Sequence, residues 1–288
     1  MKTVCNIQKQ IKHEVLWSLF DMNTLQRFKQ APSTVAEAKL NIFSPFEKEK
    51  AEQLNCIVFE SDNFIVTLDG YKLNQIHRDI LDIALYYGDS SFDGRTADIR
   101  PLRIFSLYDI QKHLNYKAKR NNKWIEKKFA EMQKSIIKIE SKKTGDWTQF
   151  NIIEVAQYSK KQNRYAIILS ETYTFFFENE ISINYKPYLC DMLLLNAQSR
   201  ALSRYILSHS NNFHIDLEKL MSKIGICKNT ISRQAFDKNK NKILEEKEKL
   251  EKLNIFLIKK SNDNRKKDYL VEYKILPKIQ VFHPKIEN

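Results

Sequence analysis

The chain has 288 residues, 42% of them hydrophobic and 29% charged, with a formal net charge of +13 and only five Gly and six Pro. That composition supports real hydrophobic cores in about two domains and excludes a collagen-like, linker-rich or broadly disordered chain. No run of about 18 apolar residues occurs, so no membrane span is expected.

Residues 1–55 read as an N-terminal arm for dimerisation or partner contact, or as an extension packed on the first domain. Ile11, Val15, Trp17, Leu19 and Phe20 suggest a short amphipathic helix. The N-terminus lacks the uninterrupted apolar region and small-residue cleavage site of a signal peptide. Residues 56–59 and 64–68 read as two short strands. A helix follows, with Ile76, Ile80, Ile83 and Tyr87 on one face. Residues 88–101 form a polar loop. Ser106 and Asp109 have the spacing of a capping box and open a short helix carrying Leu107, Ile110 and Leu114.

Residues 111–143 come next, and charge concentrates there. The stretch holds eleven Lys/Arg against three Glu, a net of +8. Ile125, Phe129, Met132 and Ile136 share one helix face, and Arg120, Lys123, Lys127 and Lys134 lie opposite. The period then changes. Residues 136–140 alternate like a strand, 144–146 read as a tight turn, and 147–158 read as the returning strand. A basic helix followed by a basic hairpin matches the recognition helix and wing of a winged helix. A solvated Lys-rich face is the plainer alternative. Residues 164–169 are a further strand, and the aromatic run at 171–177 reads as core packed between the halves.

The second half repeats the order. Helices are expected at 196–209 and 216–224, the latter closed by Gly225. A long helix is expected over about 229–253, with Phe236, Ile243, Leu250 and Leu253 inward and Gln234, Lys238, Asn241 and Lys252 outward. Glu245–Lys249 and Glu248–Lys252 have the spacing of supporting i,i+4 pairs. Strands at 255–258 and 269–275 make a second wing. Residues 228–274 hold fourteen Lys/Arg against eight Asp/Glu, a net of +6, so the two basic stretches account for the positive charge of the chain. Segments 124–139 and 243–258 occupy equivalent places about 119 residues apart, the mark of a duplication. The acidic C-terminal part of the second helix would repel phosphate, so its N-terminal half is expected nearer DNA. Arg233, Gln234, Asn239 and Asn241 are side-chain types that read base edges.

Catalytic signatures are missing. No phosphate-binding Gly-rich loop is present. The six histidines show neither His-x-His nor HExxH spacing, and no carboxylate pair has a context marking acid–base work. His113 and His209 read as satisfied, partly buried side chains. Cys5, Cys56, Cys190 and Cys227 form no CxxC pair, which fits a reducing cytosol and small buried roles. The chain is therefore expected to be a cytoplasmic, non-enzymatic protein with no cofactor and no metal.

From about residue 57 to 275 the chain resembles the plasmid replication initiator (Rep) family, whose members carry tandem winged-helix domains. The residues that carry the resemblance are 73–83 (LNQIHRDILDI), 105–114 (FSLYDIQKHL) and 196–206 (NAQSRALSRYI). The long loop at 88–101 and the N-terminal arm depart from the family's pattern. The resemblance implies binding to direct repeats (iterons) at a plasmid origin. It also implies recruitment of the host initiator and replicative helicase, and autorepression by a homodimer. The alternative is a winged-helix transcription regulator without a replication role.

The fold class expected is thus α+β, mainly helical, with two tandem winged-helix domains at 56–170 and 171–288 after the arm at 1–55. The DNA-contacting candidates are Lys117, Lys119, Arg120, Asn121, Lys123, Lys127, Lys134, Lys142 and Lys143 in the first domain. In the second they are Lys228, Asn229, Thr230, Arg233, Gln234, Lys238, Asn241, Lys266 and Lys267.

Overall fold

The computed structural model describes residues 33–34, 38–46, 52–91, 102–114, 122–173, 182–209, 211–260, 268–277 and 279–282. The first half runs β1 (Ser33–Thr34), β2 (Glu52–Glu60), β3 (Phe64–Tyr71), α1 (Gln75–Tyr87), β4 (Asp89–Ser91), β5 (Leu102–Ser106), α2 (Leu107–Leu114) and α3 (Asn122–Lys134). It continues with β6 (Ile136–Ser141), β7 (Trp147–Phe150), β8 (Ile153–Ser159) and β9 (Arg164–Leu169). The second half runs β10 (Ser182–Asn184), α4 (Leu189–Leu193), α5 (Ala197–Leu207), β11 (Phe213–Asp216), α6 (Leu217–Lys223) and α7 (Arg233–Leu244). It closes with α8 (Lys247–Glu251), β12 (Ile255–Lys259), β13 (Tyr269–Tyr273) and β14 (Gln280–Phe282).

Local chemistry explains where the helices begin. Asn74 Oδ1 accepts the Ile76 amide, and His77 Nδ1 accepts the Asn74 amide at 3.1 Å, which together cap α1. Ser106 and Asp109 exchange bonds of 2.7 and 3.1 Å ahead of α2, as their spacing implies. Ser232 Oγ accepts the Ala235 amide and starts α7. Gly225, at φ +85°, closes the turn after α6.

One connectivity occurs twice. In the first half α1, β5, α2, α3, β8 and β9 follow in order, and β9 lies between β5 and β8. In the second half α5, β11, α6, α7, β12 and β13 follow in the same order, and β13 lies between β11 and β12. The inward stripe of α3, Ile125, Phe129 and Met132, is buried as the spacing requires. Phe129 meets Phe105 of β5 and Tyr165 of β9 edge-on, with centroids 5.7 and 5.8 Å apart. Phe236, Ile243, Leu250 and Leu253 are buried in the second half.

Several expectations are corrected. The fold is mixed α and β rather than mainly helical, because the first half carries a second four-stranded sheet, β2-β3-β6-β7. The hairpin expected as the first wing, 136–158, is divided between two sheets. β6 and β7 pair with each other and join β3, whereas β8 turns away to pair with β9. The break falls at Asn151, whose Nδ2 bonds the Gln133 and Ile153 carbonyls, and at the buried Ile152. The side chains alternate on both sides of this break, so the pattern hides it. Gly70, at φ +103°, lets β3 approach the end of α3; a Cβ there would stand 2.6 Å from the Lys134 carbonyl oxygen. The long helix expected at 229–253 stops at Leu244, and a turn at Glu245–Glu246 leads into α8. Lys249 consequently pairs with Glu246 at 2.8 Å rather than with Glu245. The loop expected at 88–101 opens as β4, paired with β5. Cys190 is exposed and Cys56 and Cys227 are half-buried, so the described cysteines are not core residues. The aromatic run beyond Tyr173 lies outside the described residues, as does the amphipathic stretch at 11–20.

The segment 38–46 packs against the start of α1. Leu40, Ile42, Phe43 and Ser44 are buried, Ser44 bridges Asn74, and Gln75 Nε2 donates to the Phe43 carbonyl at 2.7 Å. β1, β10 and β14 form one small sheet, which ties the N-terminal side, the middle and the C-terminal side of the chain together. Among the described residues no helix is long and apolar enough to cross a membrane.

Candidate nucleic-acid interface

The first basic surface is the outward face of α3. Lys123, Lys127 and Lys134 are exposed there, together with Glu126. Lys127 lies 4.0 Å from Glu131 but is 70% exposed, so its charge remains available to a partner. The other side of α3 is anchored. Glu131 Oε2 accepts from Lys128 Nζ at 2.5 Å and from His77 Nε2 at 2.6 Å. Burial alone would raise the Glu131 pKa, but the bonds from His77 and Lys128 outweigh it and hold the carboxyl at about 2. Burial lowers the pKa of His77. A neutral ring can accept the Asn74 amide at Nδ1 and donate from Nε2 to Glu131.

The second basic surface gathers at the start of α7. Lys228, Asn229 and Thr230 are exposed in the turn before Ser232, and Arg233, Gln234 and Lys238 are exposed on the first turns of the helix. Lys228 bonds Glu218 at 2.5 Å and lies over the Phe236 ring, which holds this turn in place. A helix N-terminus flanked by cations is suited to phosphate. Asn241 is half-buried further along. Asn239 faces inward, 8% exposed, and accepts from Gln198 at 3.0 Å, so it is not a base reader.

Lys142 and Lys143 sit at the β6–β7 turn, where Lys142 bonds Glu60 at 2.6 Å. Lys117, Lys119, Arg120, Asn121, Lys266 and Lys267 lie outside the described residues. The sequence reading missed Lys160 and Lys161. Both are exposed in the turn between β8 and β9, the hairpin that corresponds to β12–β13. The available signal was the polar run Lys160-Lys161-Gln162-Asn163 between two alternating segments.

No protein-family model matches the sequence, and no curated protein matches it. The fold resembles domains 2 and 3 of RctB. A crystal structure of the selenomethionine derivatives of those domains aligns with a TM-score of 0.54 at 13% identity, covering 84% of this chain and 98% of that chain. A second crystal structure of RctB domains 2–3 aligns with a TM-score of 0.50 at 11% identity, covering 83% and 97%. The likeness therefore spans both halves. Among the described residues no group of three or more His, Cys, Asp or Glu side chains is placed to hold a metal ion. His113 stacks on Tyr87 at 3.9 Å, and His209 packs between Tyr205 and Phe213.

Proposed function

We propose that this protein is a cytoplasmic, non-enzymatic replication initiator that binds double-stranded DNA sequence-specifically at the direct repeats of a plasmid origin. Each half acts as a winged helix, with α3 and α7 entering successive major grooves. The hairpins β8–β9 and β12–β13 flank them on the phosphates. The observation that carries this reading is the repeated helix–strand–helix–helix–hairpin connectivity, with an exposed basic surface on the third helix each time. The likeness in fold to RctB domains 2 and 3, which extends over both halves, supports reading the two halves as parts of one arrangement. Lys123, Lys127, Lys134, Lys160 and Lys161 supply phosphate contacts in the first half, and Lys228, Arg233 and Lys238 do so in the second. Arg233 and Gln234, exposed on the first turn of α7, are the side-chain types that read base edges. Repression of its own gene by a homodimer, and contact with the host initiator and replicative helicase, extend this reading.

The test is footprinting on DNA flanking the gene at two salt concentrations. Protection of several short direct repeats beside an A·T-rich segment is expected. Protection of one inverted repeat at a promoter would make the protein a transcription regulator instead. Absence of any specific protection would overturn the DNA reading.

A further inference from the structure

Buried polar contacts tie α3 to α1, α1 to α5 and α5 to α7, and the helices α1 and α5 themselves connect one set of contacts to the next. From α3, Glu131 reaches His77 of α1 at 2.6 Å. From α1, Asp79 and Asp82 accept from Arg204 of α5 at 2.7 and 2.8 Å, and Asp79 also faces Arg200 at 3.1 Å. From α5, Gln198 donates to Asn239 of α7 at 3.0 Å, and Asn196 Nδ2 donates to the Lys242 carbonyl at 2.7 Å. Asp79 and Asp82 are 1% and 0% exposed. Burial alone would depress the Arg204 pKa, but Asp82 and Asp79 outweigh it and hold it above the usual range. Charges this deeply buried persist only with fixed partners. The segment 38–46 closes the junction, with Arg78 lying over the Phe43 ring at 5.6 Å.

We infer that the contacts between α1 and α5 hold the two halves as one rigid reader, fixing the spacing and rotational phase of α3 and α7. This inference rests on the proposed DNA reading. Arg204 is then a positioning residue. It touches no DNA and acts by setting where the second helix falls on the duplex once the first is seated. A rigid reader gains its second contact at high effective concentration only when the DNA presents both half-sites in phase.

The experiment measures binding of the full chain to its footprinted site and to versions with 5 base pairs inserted between the half-sites, about half a helical turn. The wild-type protein is expected to lose roughly 100-fold or more in affinity on insertion, the avidity of a linked second contact. Arg204→Met is the matching variant. The three arginines of the cluster face two aspartates, so removing Arg204 leaves Arg78–Asp82 and Arg200–Asp79 as balanced pairs. The variant is expected to bind the native site more weakly but to lose under about 10-fold on insertion. A purely structural defect would weaken both sites equally and leave the ratio unchanged, which would overturn the role given to Arg204. Wild-type tolerance of the insertion would overturn the rigid reader.

A readout independent of DNA separates this from the functional reading. Spin labels at Lys127→Cys and Lys238→Cys, in a chain with its four native cysteines replaced by Ser, are expected to give one narrow distance by pulsed electron paramagnetic resonance. A broad distribution would refute the lock. A narrow distance in the labelled chain, together with no footprint from the unsubstituted protein, would leave the lock standing and overturn the DNA reading alone.

Discussion

Replacing Lys123, Lys127 and Lys134 together by Ala tests the outward face of α3. The three side chains are exposed, and Lys127, at 70%, has only a 4.0 Å approach to Glu131. Exposed charges of this kind contribute little to folding, so the unfolding free energy is expected to move by less than about 1 kcal/mol. Their contribution to DNA binding is different in kind. Each phosphate contact releases counterion and adds about 0.9 to the slope of log K against log salt. Losing three contacts lowers that slope by up to about 2.7, which is roughly 40-fold less salt penalty between 50 and 200 mM. The assay is fluorescence anisotropy on the footprinted site across a salt series, paired with urea unfolding of the same samples. An unchanged slope with intact folding would show that α3 does not lie against the duplex.

Replacing Lys160 and Lys161 by Ala is expected to lower the salt slope as well, while Lys142→Ala changes it less, because the Lys142 side chain is only 33% exposed and bonded to Glu60, where that of Lys228 is 59% exposed. Equal effects at both turns would show that the β6–β7 hairpin shares the wing role. Phe129→Ala removes a ring 2% exposed between Phe105 and Tyr165 and is expected to cost about 3–5 kcal/mol in urea unfolding. A loss below about 1 kcal/mol would contradict the packing described. Stability is also expected to fall as the medium is acidified. Burial lowers the pKa of His77, so the unfolded chain takes up that proton first, and stability declines as pH drops below about 6.5. Glu131 is held at about 2 against an ordinary 4.5, so its contribution is present above 4.5 and is lost as pH falls from 4.5 toward 2. Burial lowers the pKa of His113 and His209 too, so His77→Gln should flatten part of the upper curve and leave their share, and a wild-type curve flat from pH 7 to 5 would contradict the buried neutral His77.

The inward and outward faces of α3 were legible because helical periodicity is a local property: Ile125, Phe129 and Met132 had to share a side, and Lys123, Lys127 and Lys134 had to share the other. The hairpins were legible less well. Alternation tells that residues 136–158 are extended but not which strand each run pairs with, and here the chain crosses from one sheet to another at Asn151 without a change of pattern. The same limit concealed the turn at Glu245–Glu246, where no Gly or Pro announces that α7 ends.

The segments 73–83 and 196–206 show the division most plainly. Their residues carried the resemblance to replication initiators, yet Asp79, Asp82, Arg200 and Arg204 among them are turned into the junction between the halves. Composition and periodicity alone determined that the chain is basic in two places, that each place is a helix with one buried face, and that the arrangement occurs twice. Only the tertiary structure decided that Asp79, Asp82 and Arg204 face one another across α1 and α5, that 38–46 packs between the halves, and that Asn239 points inward. The Arg204 pairings join residues more than 100 positions apart, and the charge of a side chain does not specify which distant partner will neutralise it.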